Sequence, residues 1–543
     1  MFGHVNFESS PFIASSEPTK FEEFTFCETL DGITVACEGV ILNAKEVAKE
    51  QETLAQAIVR LYQTDENALL NAFEGEFAIA IFDLAHEHRH LVFNDRLSKK
   101  YVFYYLEGDK LAFSTSFFDL ISFLKRRNVS VHPDIIGLSM MRYYGVFAHT
   151  YTYFEEVTWL GPYAYIELSN SSAQLKSYAT KMRYDLSPDV SKLHALFCKG
   201  LGLQAALNDN HGYKQIYSIS GGMDSRAVLN VGTRLGYKPS FTFTYAESGS
   251  LDQQIAAKVA AEEHVSNYFF ALDGGTFLLK RDEIVPLNEG QMLYSGTTGA
   301  YDVSQTMDVE NVGIVHTGVG GGEIFGDQCG HLEESDARFE GYVAGLHLDA
   351  EHSNALLKQL HEAYDNYNQF ITLVDIRKCL NFCKTTHTRF VGFSPFLYEP
   401  LFEYLMQVDY EQKHFRKFYL SWYREKIKSR ITSTSALGGF GSSPVSRARK
   451  VLKLKQMRLY AILEKRLRIK SKFQMNPFDY WYSTNEDIPR YLKECEQEDM
   501  QELSRLHLEP IVMDIVYANE TTPIIPRLCA MTARKTLILC DQA

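Results

Sequence analysis

The chain has 543 residues, of which 45% are hydrophobic, 23% charged and 13% aromatic, with a formal net charge of -13. These proportions supply more than one core, exclude a disordered or collagen-like chain, and argue against generic nucleic-acid binding. No apolar run approaches the ~18 residues of a membrane span, and the sequence does not open on a basic-then-apolar leader. The nine cysteines are sparse and odd in number, which predicts free thiols in a reducing cytoplasm rather than a disulfide framework. Cys379 and Cys383 could share a helix face; without a second pair at metal spacing they read as buried thiols.

Residues 1–175 read mostly as strands. Runs such as Phe77-Ala78-Ile79-Ala80-Ile81-Phe82 and Tyr101-Val102-Phe103-Tyr104-Tyr105 are rich in aromatic and β-branched residues and are punctuated by Gly, Asp and Asn. One helix is expected from Glu46 to Tyr62, where Leu54, Ile58, Leu61 and Tyr62 stand at helical spacing. His86, His88 and His90 alternate, and on a strand they would share a face as a metal site does.

The texture changes near 190. Ile216–Ile219 reads as a strand, Arg226–Leu235 as a helix stopped by Gly236, Phe241–Tyr245 as a strand, Asp252–Glu263 as a helix and Asn267–Leu272 as a third strand. Strands alternating with helices across short loops predict a parallel, helix-covered sheet. Beyond about 340 the chain reads as mainly helical, and no internal repeat is visible.

Between the first strand and helix of that half stands Ser220-Gly221-Gly222-Met223-Asp224-Ser225. Two glycines let backbone N–H groups approach an anion, and the helix start adds unsatisfied donors and partial positive charge. Ser220 and Ser225 can donate hydroxyls. Asp224, itself an anion, makes sense as a Mg2+ ligand, the metal bridging its carboxylate to phosphate oxygens. The loop lacks the lysine of a Walker motif and the spacing of the dinucleotide fingerprint. The competing reading is a plain strand-to-helix turn capped by Ser or Asp.

The hexapeptide resembles the pyrophosphate loop of the ATP-pyrophosphatases that include asparagine synthetase B, and the resemblance runs along nearly the whole chain. Glu38-Gly39-Val40-Ile41-Leu42-Asn43 resembles that family's N-G-E-I-Y-N. Gly75–Asp83, Asn94-Asp95-Arg96-Leu97 and Phe113-Ser114-Thr115 resemble its next stations, and Leu160-Gly161-Pro162 stands at its L-P-P-G turn. Ser250-Leu251-Asp252, Thr317–Gly326 and Pro395-Phe396-Leu397 resemble its S-x-D, S-G-E-G-S-D-E-[LV]-F-G and P-F-L-D. The resemblance implies an α/β chain of two domains. Residues 1–175 would be a class II glutaminase-like, Ntn-hydrolase-like αββα domain. Residues 190–543 would be a doubly wound parallel-sheet ATP-pyrophosphatase domain with a helical C-terminal portion. It also places the three histidines in a hairpin turn.

The implied cofactors are ATP and Mg2+. Asp224 and Asp252 would hold the metal. Ser220, Gly221, Gly222, Asp224, Ser225, Gly318 and Gly320 would cradle the nucleotide, and Tyr245, on the strand Phe241–Tyr245, would line the adenine pocket. The implied reaction is adenylation of a carboxylate, release of pyrophosphate, and attack by an amine or ammonia.

Two departures from the family stand out. Phe2 occupies the position of the glutaminase cysteine that follows the initiator Met, and phenylalanine is no nucleophile; the resemblance then implies a degenerate glutaminase domain. Val319 stands where the family has an acid and Gly322 where it has a metal-binding Asp, with Asp327 four residues beyond the retained Glu323. Beta-lactam synthetases and lasso-peptide cyclases share the loss of the cysteine.

Arg447–Lys472 holds eleven Lys or Arg and one acid, Glu464, with Leu452, Leu459, Ile462, Leu463 and Ile469 at helical spacing. This is either a solvated helix face or a docking face for an anionic substrate or acidic membrane surface. It follows a glycine-rich segment, Ala436–Ser443, near which the family has a catalytic lysine; Lys450, Arg449 and Arg447 are the candidates for that role. The expected chain is a cytoplasmic ATP-dependent amide-forming ligase acting on a small-molecule, peptide or glycan carboxylate. It has no nucleic-acid partner and no transmembrane segment, and a homodimer is allowed. The alternatives are ammonia-dependent asparagine synthesis, a tailoring cyclase or ligase for a peptide, β-amino acid or glycan, and a catalytically dead relic that serves as a binding partner.

Overall fold

The computed structural model describes residues 1–7, 11–15, 20–85, 89–169, 172–179, 184–427 and 473–543, together with Leu452, Lys455, Gln456 and Leu459. The fold is mixed α/β, with two antiparallel sheets in the N-terminal part, one parallel sheet after them, and a helical C-terminal portion.

The N-terminal strands are β1 (Phe2–Val5), β2 (Phe12–Ala14), β3 (Phe26–Leu30), β4 (Ile33–Ile41), β5 (Gly75–Asp83), β6 (His90–Asn94), β7 (Phe103–Glu107), β8 (Lys110–Ser114), β9 (Thr158–Trp159), β10 (Ala164–Ser169) and β11 (Ser172–Ser177). They form one sheet of order β2-β1-β8-β7-β9 and another of order β11-β10-β6-β5-β4-β3. The uninterrupted apolar run of β5 follows from burial of both its faces. Ala78, Ala80 and Phe82 pack with Val5, Tyr104 and Phe113 of the opposing sheet. Phe77, Ile79 and Ile81 pack with Ile58 and Val59 of the helix Leu54–Thr64. Such double coverage removes the polar alternation of a half-exposed strand.

The helix expected over 46–62 is two pieces, Ala44–Val47 and Leu54–Thr64. Gln51 has φ +65°, and the second piece starts on a capping box in which the Thr53 hydroxyl accepts from the Gln56 N–H and the Gln56 side chain accepts from the Thr53 N–H. The cap satisfies donors that a through-helix would have bonded to the preceding turn, so the break is locally stable. His90 opens β6, while His86 and His88 lie outside the described residues, in the connection between the antiparallel neighbours β5 and β6.

The parallel sheet has the order β14-β13-β12-β15-β16, with β12 (Ile216–Ser218), β13 (Phe241–Ala246), β14 (Asn267–Ala271), β15 (Ile314–His316) and β16 (Val391–Phe393). All four pairings are parallel. The order reverses direction at β12, and in such sheets ligands bind beyond the carboxyl ends of the strands at that point. The helices after β12 and β13 are Met223–Arg234 and Leu251–Glu262; the first begins three residues earlier than the sequence pattern indicates. Among the described residues no helix is long and apolar enough to cross a membrane, and all nine cysteines are free.

The two halves are joined by buried polar contacts. Lys99, after β6, donates to Glu399 (2.8 Å) and to the Leu397 carbonyl (3.1 Å), and both side chains of the ion pair are almost wholly buried. The Gly75 N–H donates to the same Glu399 carboxylate. Arg96 pairs with Glu403, and Lys384 with Glu76.

Glu289 reaches from the C-terminal half to accept the Phe117 N–H (3.0 Å), at the N-terminus of the helix Phe117–Arg126. Burial is the main reason its carboxyl is pushed up from 4.5 to about 7. The folded state therefore keeps a proton that the unfolded chain has released between those values. Its contribution to stability is fully present below about 4.5 and is lost as pH rises towards about 7. Glu289→Gln should remove a slope of up to roughly 1.4 kcal/mol per pH unit in that window. Calorimetric melts of both proteins across it measure the difference; parallel pH profiles would disprove the assignment.

Candidate active site

The Ser220–Ser225 loop leaves the carboxyl end of β12 and becomes the first turn of the helix Met223–Arg234. Its serines brace it internally. The Ser220 N–H donates to Ser225 Oγ (3.1 Å), the two hydroxyls share a hydrogen bond (3.1 Å), and the Gly222 N–H donates to Ser220 Oγ (3.1 Å). Gly222 is the N-cap and gives this helix no side-chain acceptor. The next helix is capped, because Ser250 accepts from the Gln253 N–H. An uncapped first turn leaves N–H donors and the positive end of the helix dipole facing the loop.

A second glycine-rich loop, after β15, closes directly onto the first. A Cβ on Gly318 would lie 2.3 Å from the Ser225 backbone nitrogen, and one on Gly321 would lie 2.6 Å from the Asp224 carboxyl carbon. Only hydrogen at these positions permits that approach. Gly320 has φ +83° and rests on Leu397, of the Pro395–Leu397 turn. Val319 is half-buried against the core. Glu323 points behind the loop, where it is hydrogen-bonded to Cys379; burial raises its carboxyl.

Asp224 Oδ1 accepts from the Tyr419 hydroxyl (2.6 Å). Burial pushes its carboxyl up, the Tyr419 hydrogen bond and the Arg416 charge oppose that, and Asp327 adds to it. Asp327 forms a two-point ion pair with Arg416, with Nε 2.6 Å from Oδ1. Its Oδ2 lies 2.7 Å from where a Cβ on Gly322 would stand. The carboxylate of Asp327 thus fills the space beside Gly322 that a longer side chain there would claim. Arg416 holds a left-handed backbone (φ 57°, ψ 28°), unusual for a side chain with a Cβ.

Asp252, in the first turn of its helix, accepts the Gly221 N–H (2.9 Å) and so holds the first loop from its other side; burial raises its carboxyl. Tyr245, on β13, stacks on Phe382 (6.4 Å between centroids, 5° between planes) and is hydrogen-bonded to Thr298. Ser220, Gly221, Gly222, Asp224, Ser225, Asp252, Gly318 and Gly320 thus gather around the two loops, while Tyr245 meets Phe243, Phe382 and Thr298. Lys450, Arg449 and Arg447 lie outside the described residues, as does most of the basic stretch 447–472; Leu452, Lys455, Gln456 and Leu459 within it are helical and exposed. Tyr419 and Arg416 are additions from the structure. The sequence carries no signal for them beyond an aromatic run, Phe415–Tyr423, that reads as core.

Comparison with known families matches residues 28–179 to a glutamine amidotransferase domain and residues 217–381 to asparagine synthase. The chain has the asparagine synthetase B-like architecture. The part that matches asparagine synthase contains both glycine-rich loops, and that family supports an ATP-dependent C–N ligase. No curated protein matches the chain. Among solved structures, one titled as the allosteric regulatory enzyme of purine biosynthesis aligns at 9% identity and a TM-score of 0.21, over 48% of this chain and 64% of that one. A glutamine phosphoribosylpyrophosphate amidotransferase from B. subtilis, complexed with ADP and GMP, aligns at 8% identity and a TM-score of 0.20, over 46% and 73%.

Proposed function

We propose that this asparagine synthetase-like chain activates a carboxylate with MgATP between its two glycine-rich loops and joins it to an amine or ammonia. The substrate's carboxylate oxygen attacks the α-phosphorus, the bond from that phosphorus to the bridging oxygen breaks, and pyrophosphate leaves with the electron pair. An amine nitrogen then attacks the acyl carbon, releasing AMP and a proton. The observation that carries the reading is the enclosure of Asp224 and an uncapped helix N-terminus by Gly318 and Gly321. Backbone N–H groups so arranged bind a polyphosphate tail.

Magnesium fits the donors present. It takes one or two protein carboxylates and fills its shell with phosphate oxygens and water. Asp224 and Asp327 are two such carboxylates, and among the described residues no group of three or more His, Cys, Asp or Glu could hold a metal ion. Bound there, the ion would neutralise charge on the phosphates. Asp327, whose carboxylate adjoins Gly322 and is paired with Arg416, would stand in for the aspartate that the family has at Gly322. Asp252 holds the loop backbone through Gly221. Carboxylate-dependent exchange of labelled pyrophosphate into ATP tests the reading. Exchange driven by aspartate alone would favour plain asparagine synthesis, and absence of MgATP binding would leave the relic.

The N-terminal part does not hydrolyse glutamine in this reading. The Phe2 ring lies 4.9 Å from that of Phe123 and also packs on Phe12 and His4. The Glu38 carboxylate is bound by Lys100 and by the Thr115 hydroxyl (3.1 Å). Cys27 is exposed on β3; Cys37 is buried in β4 with its thiol pushed up by burial, the wrong direction for a nucleophile. Purified protein incubated with glutamine should release no glutamate; release proportional to the amount of chain would refute this.

A further inference from the structure

We propose that the cleft between the helices Ser335–Ala344 and Tyr367–Cys379 is the acceptor pocket, and that the acceptor is a carboxylate carried on a planar ring. This rests on the reading of the glycine-rich loops as the nucleotide site. The cleft has a volume of about 490 Å3, within the roughly 300–1,000 Å3 of sites for drug-sized ligands and more than a small amino acid such as aspartate fills.

The cleft begins at the second loop. Gln328, in its wall, follows Asp327, whose carboxylate adjoins Gly322. Asp375, on the facing helix, is close enough to influence both Asp327 and Glu323 electrostatically. The two cations of the cleft stand at this end. Arg338 donates to the Gln328 carbonyl (2.6 Å) and stacks on Tyr367 (4.6 Å to the ring centroid). Lys378 precedes Cys379, the partner of Glu323 behind the loop. Lys378 faces Asp375 at 3.8 Å, and among the described residues Arg338 has no carboxylate partner. Among the lining residues two cations face one carboxylate, and the Arg338 guanidinium, held flat on an aromatic ring and donating to the Gln328 carbonyl and the Asn368 side-chain oxygen (3.5 Å), has further N–H donors for a carboxylate.

Away from the loop, the lining is aromatic. Tyr144, on the helix Ile135–Tyr144 of the N-terminal part, stacks on Tyr342 with centroids 4.5 Å and planes 12° apart. Among the described residues the buried Tyr342 hydroxyl has no hydrogen-bond partner. Flat rings of this kind favour a planar body over an aliphatic one. The cleft therefore orders its ligand, with the carboxylate toward the phosphate loops and the ring against the tyrosines.

The test uses the full chain with hippurate, in which a glycine links the carboxylate to a planar benzoyl group, and with aspartate, each titrated calorimetrically after MgATP. Hippurate should bind and aspartate should not. Arg338→Ala should weaken hippurate at least about tenfold, Arg338→Lys should restore part of that loss, and MgATP affinity should be unchanged in both. Lys378→Ala provides a second probe should Arg338→Ala melt early. Binding of aspartate without hippurate, or hippurate binding indifferent to both alanine variants, overturns the proposal. Loss of MgATP binding by the wild-type protein instead strikes the nucleotide reading, and Arg338-dependent hippurate binding would then still uphold the cleft.

Discussion

Replacing Asp224 by Asn lowers carboxylate-dependent pyrophosphate exchange by about 10²–10³-fold, the loss typical when one preorganised electrostatic partner of a reacting group is removed. Asn keeps the shape of the side chain and an oxygen that accepts from Tyr419, so the loop between Gly221 and Gly321 keeps its packing. What disappears is the negative charge that would hold the metal. The same substitution should leave melting unchanged or raise it, because the wild-type carboxylate is buried and its pKa is raised chiefly by that burial. Exchange rates and calorimetric melts on the same preparations separate the two effects. Exchange within about threefold of wild type, against the loss anticipated above, would mean that Asp224 holds no metal.

A methyl group at Gly318 produces the second large effect. The new Cβ would meet the Ser225 nitrogen at 2.3 Å and the Asp224 carbonyl carbon at 2.7 Å. Both are backbone atoms, so no side chain can rotate out of the way and the two loops must separate. Overpacking of this kind costs about 1–3 kcal/mol, and the displaced loops should lose at least about tenfold in MgATP affinity, the equivalent of 1.4 kcal/mol. Gly202→Ala is the control. It lies in the helix Val190–Asn210 with nothing within 4 Å of the added Cβ, where alanine gains roughly 0.5–1 kcal/mol over glycine. Equal melting and equal nucleotide affinity in Gly318→Ala and wild type would refute the close contact.

The parallel sheet and its first loop were readable because local pattern and tertiary role coincide there. A short apolar run, a glycine pair and a helical stripe each carry their own signature, and β12 with the helix Met223–Arg234 follows them closely. The helix start moved to Met223 because the loop residues themselves wind into the first turn. The break between Ala44–Val47 and Leu54–Thr64 was also visible in principle, as a Thr53-to-Gln56 capping box, but a few apolar positions at helical spacing masked it. Tyr419 and Arg416 were not legible. They lie some 195 residues from Asp224, and nothing local distinguishes a tyrosine that will meet a buried carboxylate from one that fills a core. The partnership of Asp327 with the gap at Gly322 has the same character: spacing raises the question, and only the fold directs the side chain.

The buried pair Lys99–Glu399 has an evolutionary consequence. Loss of Lys99 from the intact chain would leave Glu399 sealed from water and deprived of its counter-ion, a defect that costs about 3–5 kcal/mol when one member of such a pair is deleted. That is a large share of the 5–15 kcal/mol by which folded proteins persist. Change at Lys99 is thereby penalised whether or not the amidotransferase-like part processes glutamine, so drift can erase that chemistry while the seam between the two parts is inherited intact.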